Sequence, residues 1–76
     1  MLSKEMDFFI FLLEQYAAVK NIAADEVLRR WDELGISRFI YDMYERYHIE
    51  ALENAFDDID RLTAEKLNAK QEGAQS

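Results

Sequence analysis

Apolar residues recur along this chain at spacings of three and four, and strict alternation is nowhere sustained, so the pattern predicts helices and no strands. Punctuation is sparse, with no proline and glycine only at Gly35 and Gly73. A first helix is expected to start after Ser3, a hydroxyl suited to the N-cap, and to run to about Lys20, with Asn21 as the stop. Met6, Phe9, Leu13, Tyr16 and Ala17 form one stripe of it, while Phe8, Ile10, Phe11 and Leu12 occupy the other directions. A helix apolar all round is either central in its fold or turned toward a partner.

A second helix is expected over about Ala24 to Glu33, with Val27, Leu28, Trp31 and Leu34 on one face and Gly35 ending it. Its cap position holds Ala23, and Glu26 three places on supplies half of a capping box without the hydroxyl. Ser37 is then expected to cap a third helix running to about Tyr47, stapled by Ile36 on Tyr41 and burying Phe39, Ile40, Met43, Tyr44 and Tyr47. A bend over His48 to Glu50 separates it from a fourth helix carrying Leu52, Ala55, Phe56, Ile59 and Leu62. Without the bend, the last two helices would merge into a rod of roughly 30 residues, long for a small domain. The expectation is an all-α, single-domain bundle of about four short helices over residues 1–65. A frayed or disordered polar tail, "KLNAKQEGAQS", follows over residues 66–76.

Composition bounds what such a bundle can do. With 76 residues the chain buries only about 60% of its unfolded surface, so stability is thin, and the absence of cysteine removes disulfides and thiolate chemistry. Half of the residues are apolar, too many for a disordered chain even at a net charge of −7. That acidity argues against nucleic acid or an anionic membrane as target, because both call for clustered Lys and Arg. The longest apolar run, Phe8 to Leu13, is six residues where a membrane span needs about 20, and Glu5 and Asp7 precede it. The expected setting is the cytoplasm.

Candidate chemistry concentrates in "YERYHIEALENAFDDID". Glu45 and His48 form a Glu-x-x-His pair, the spacing that di-iron bundles use, but such a site needs two of these pairs plus two more glutamates. The only histidine can therefore serve a metal only if a dimer supplies the second copy; otherwise His48 hydrogen-bonds locally at a helix junction, half-buried. Asp57-Asp58-x-Asp60 begins like a calcium loop and lacks the glycine and terminal glutamate that complete one. On a helix, Asp58 and Asp60 flank the apolar stripe, within reach of Arg29, Arg30 or Arg38 or of a partner's basic residues, while Asp57 lies farther toward solvent. "LGIS" joins two short helices as in a helix-turn-helix, yet the following helix offers base edges only Arg38 and Arg46. No convergent Ser, His and acid set and no Gly-rich phosphate loop is evident.

Between Asp42 and Asp60 lie seven acids against one base, Arg46, so this stretch carries six of the seven net negative charges. A local acidic face beside tyrosines can be a solvated surface or a docking surface for a basic protein. The segments "FFIFLLEQYA", "ADEVLRRWDELGI" and "FIYDMYERYHIEALENAFDDID", with Tyr44, His48 and Asp57-Asp58-Ile59 as motif, resemble a small bacterial family, domain of unknown function 3791, over about residues 4–62. Where many relatives carry Thr and then Gly after the His, this chain has Ile49, Glu50 and Ala51. The resemblance implies an antitoxin-like or immunity-like role, since members are often encoded beside an ADP-ribosyltransferase-like toxin.

Taken together, the expectation is a non-enzymatic interaction module without cofactor, binding a protein partner through Tyr44, Tyr47, His48, Asp57, Asp58 and Asp60. The alternatives are a metal-binding dimer or metal-dependent enzyme using Glu45 and His48, and a structural homo-oligomer.

Overall fold

The computed structural model describes residues 2–75, with side chains through residue 70. Helix α1 spans Lys4–Lys20, α2 Ala24–Leu34, α3 Ser37–Asp42, α4 Tyr44–Tyr47 and α5 Leu52–Gln75. Among these residues there is no strand, as the three- and four-residue apolar spacing requires. α1 begins where the Ser3 side chain accepts the Met6 amide at 3.1 Å, and it ends at Asn21, whose left-handed φ of 56° lets its amide reach the Ala17 and Ala18 carbonyls. α2 closes in the same way on Gly35, φ 73°. Its start at Ala23 has no side-chain cap; instead the Asp25 carboxylate accepts the Glu26 amide at 3.0 Å.

α1 packs against α2, α3 and α4, α2 packs on α5, and α4 on α5. The core these contacts enclose consists of Leu12, Leu13, Tyr16 and Ala17 from α1, Val27 and Trp31 from α2, then Ile36, Ile40, Tyr47, Ala55 and Ile59. Trp31 is 1% exposed and takes the rings of Phe9 and Tyr16 against it at 5.9 and 5.5 Å. The helix that is apolar all round is thus central, yet one of its sides is left uncovered: Phe11 remains 47% exposed and Ile10 is also in contact with solvent.

Three expectations change in the second half. Ser37 does not cap α3; it is already helical, its hydroxyl donates back to Asp32 of α2, and Ile36 holds the cap position with its side chain buried. Phe39 lies outside the core at 45% exposure, while Tyr41 packs on Phe9 instead. The third helix is also interrupted at Met43, whose ψ of 14° departs from helical geometry and whose amide is shared between the Phe39 and Ile40 carbonyls. The expected bend is present as a turn over 48–50, after which α5 starts at Leu52. α5 then continues to Gln75, through the segment whose polar composition predicted fraying, with residues 64–70 exposed on all sides. Ser76 and the side chains of 71–76 lie outside the described residues.

Candidate functional site

The acidic run of the second half divides into two groups with different work. Asp58 and Asp60 sit on the side of α5 that faces the rest of the fold. There Asp58 Oδ2 accepts the Tyr47 hydroxyl at 2.7 Å and Asp60 Oδ1 accepts the Tyr16 hydroxyl at 2.6 Å. Their other oxygens pair with Arg61 and, at 2.8 Å, with Lys20. Neither pairs with Arg29, Arg30 or Arg38: Arg29 and Arg30 bond Glu26 within α2, and Arg38 bonds Asp42 within α3. The boundary position was legible on the helix, but its use is to give two buried tyrosines an acceptor, which a wholly apolar core would not provide.

Both tyrosines answer electrostatically. Burial first, then the hydrogen bond to the carboxylate and its charge, push the Tyr16 and Tyr47 hydroxyls well above the ordinary tyrosine range. Tyr47 is 1% exposed. It therefore belongs to the core and offers a partner no surface of its own.

Of the remaining predicted residues, Tyr44 and His48 come together at α4. The Tyr44 and His48 rings, one helical turn apart, stack at 4.2 Å between centroids and 3° between planes. His48 Nδ1 lies 2.6 Å from the Tyr44 carbonyl, which can only accept, so Nδ1 carries the proton in this bond. His48, at the start of the turn over 48–50, is exposed rather than half-buried. Phe8 meets both rings edge-on, at 5.6 Å to Tyr44 and 6.4 Å to His48, and continues to Phe11 at 6.4 Å. Ile49, 75% exposed, follows His48 directly. The result is a surface of aromatic rings linked from α1 to α4. Sequence reasoning missed Phe8 and Phe11 as site residues; their signal was the surplus of apolar residues in the first helix.

Charge borders this surface. Lys4, Glu5, Tyr41, Asp42, Tyr44 and Glu45 line a cleft of about 270 Å³ where the start of α1 meets the α3–α4 corner. Asp42 is held by Arg38 within α3, and Glu50, in the turn after α4, by Arg46. Among the described residues Glu45, Glu53 and Asp57 make no ion pair, nor do Glu5, Asp7 and Glu14 on α1. Asp57 is exposed on α5, apart from the aromatic surface in every contact described above. Glu45 and His48 form a two-residue pair only; among the described residues no group of three or more His, Cys, Asp or Glu could hold a metal ion. No helix among those residues is long and apolar enough to cross a membrane.

No curated protein and no solved structure matches the chain. A family model does, over residues 7–66, nearly the whole packed region and all of the surface from Asp7 to the acids of α5. The chain belongs to the family described as "Protein of unknown function (DUF3791)".

Proposed function

We propose that this protein is a non-enzymatic interaction module that binds a protein partner through the aromatic surface of Phe8, Phe11, Tyr44 and His48. The observation that carries the reading is that surface itself, linked rings of which Phe8 and Tyr44 are partly buried and Phe11 and His48 are exposed, on a chain of net charge −7. Aromatic side chains bring large contact area at little conformational cost and dominate protein interfaces. A bordering set of unpaired acids would steer a basic partner and select against an acidic one. In this reading Tyr44 and His48 touch the partner, Asp58, Asp60 and Tyr47 hold the scaffold, and Asp57 contributes only to the field.

The partner class we propose is a toxin that the module restrains, such as an ADP-ribosyltransferase, as the family resemblance implies. Co-expression with the product of the adjacent open reading frame tests this. The expected result is a co-purifying complex and relief of that neighbour's toxicity. Failure of both would overturn the reading.

A further inference from the structure

We propose that the cleft between the start of α1 and the α3–α4 corner seats an arginine of the partner, its guanidinium on the Tyr44 ring between the Glu5 and Glu45 carboxylates. The inference rests on the interaction-module reading and gives that interface its chemistry.

The fold contains one such seat already filled. The Arg38 guanidinium lies 5.9 Å from the Tyr41 ring centroid while its Nε bonds the neighbouring Asp42 at 3.1 Å. Ring and carboxylate together meet the π-face preference of an arginine and engage its Nε donor. Tyr44-Glu45 repeats the Tyr41-Asp42 pair three residues later, across the break at Met43, and both pairs line the same cleft. The first pair draws its cation from three positions upstream, Arg38; three upstream of Tyr44 stands Tyr41, so the second pair has no arginine of its own. What reaches it is Lys4, whose Nζ lies 5.8 Å from the Tyr44 centroid, about as far as Arg38 lies from Tyr41, but which, unlike Arg38, makes no ion pair among the described residues. A compact, strongly hydrated ammonium fills such a seat less well than a planar guanidinium does.

Charge complementarity chooses the occupant. The cleft presents Glu5, Asp42 and Glu45 against Lys4, and a second copy of this chain would bring a net charge of −7 to an already acidic surface. A basic segment brings the opposite sign. Apolar residues flanking its arginine would then meet Phe8, whose ring abuts Tyr44 edge-on, and Phe11 beyond it.

The test uses the intact protein and a blocked, leucine-flanked arginine tetrapeptide, alongside its lysine and citrulline versions, followed by NMR amide shifts. The arginine peptide is expected to shift Lys4, Glu5, Tyr44 and Glu45 and to bind about tenfold more tightly than the neutral citrulline peptide, with lysine between. Glu5→Gln with Glu45→Gln should remove that preference. Lys4→Ala should tighten binding severalfold by removing the internal competitor, a sign that a merely structural role would not produce. Equal affinity for arginine and citrulline, no shifts at these residues at millimolar peptide, or weaker binding by Lys4→Ala would overturn the proposal. Circular dichroism of each exposed-site variant separates these outcomes from unfolding. A partner that co-purifies while the peptides fail leaves the module reading standing and removes the arginine seat. Peptide binding without a co-purifying partner does the reverse.

Discussion

Removing the Asp58 carboxylate should destabilise this domain through a residue eleven positions away. Asp58→Ala leaves the Tyr47 hydroxyl, in a residue 1% exposed, without its acceptor. An orphaned buried hydroxyl costs about 1–3 kcal/mol. The ion pair lost with Arg61 adds little, because that arginine is 69% exposed. A loss of about 2 kcal/mol in a domain of this size lowers Tm by roughly 8–16 °C. Tyr47→Phe should cost less, about 1 kcal/mol, since Asp58 keeps Arg61 and some contact with water. In the Tyr47→Phe background, Asp58→Ala no longer strands a hydroxyl and should cost well under ~1 kcal/mol. Urea unfolding followed by fluorescence of buried Trp31, the single tryptophan, measures all four corners of this cycle. An Asp58→Ala cost that is the same in both backgrounds would refute the claim that this carboxylate works by satisfying Tyr47.

The paired tyrosines also predict behaviour at high pH. Folding holds Tyr16 and Tyr47 above their unfolded pKa of about 10. Their contribution is therefore complete below pH ~10 and is lost as pH rises toward the folded values, because only the unfolded chain releases the protons. The urea midpoint should fall above pH ~10, and less steeply in Tyr16→Phe with Tyr47→Phe; an unchanged slope would count against the linkage. Gly35→Ala should cost about 1 kcal/mol through its φ of 73° alone, since an added Cβ meets nothing within 4 Å; a larger loss would mean a contact has been overlooked. Ala23→Ser should stabilise α2 at the low end of the usual range, about 0.5 kcal/mol, because Asp25 already occupies the Glu26 amide that the new hydroxyl would seek. Protein purified without chelator should carry no stoichiometric iron, manganese or zinc, and bound metal lost on His48→Ala would revive the Glu45–His48 reading.

How far the fold could be read in advance depended on whether each signal was local. Ser3, Asn21 and Gly35 act through their own side chain or backbone angle, so both ends of α1 and the end of α2 could be anticipated. Ser37 looked equally local, but its hydroxyl found Asp32 on the preceding helix, and burial of Ile36 set the start of α3 one position earlier. The irregularity at Met43 has neither glycine nor proline to announce it.

In the site, the periodicity of α5 placed Asp58 and Asp60 beside the apolar stripe correctly. Their true partners lie 11 and 44 residues away, and nothing in the intervening sequence names a tyrosine rather than an arginine. Tyr44 and His48, one turn apart, could be paired by spacing; the arrival of Phe8 from α1 could not. The surplus of apolar residues in α1 did foretell that some of its surface would stay uncovered, without saying which residues.

The interaction surface is tested most directly by measuring the affinity of the adjacent gene product for the wild type and for Phe11→Ser by titration calorimetry. Phe11 is half exposed and outside the buried core, so the substitution should leave Tm within a few degrees. The account predicts a one-to-one complex with the wild type and at least about a tenfold loss with Phe11→Ser, the usual scale for truncating an interface anchor. No complex, or equal affinity in the two proteins, would contradict it.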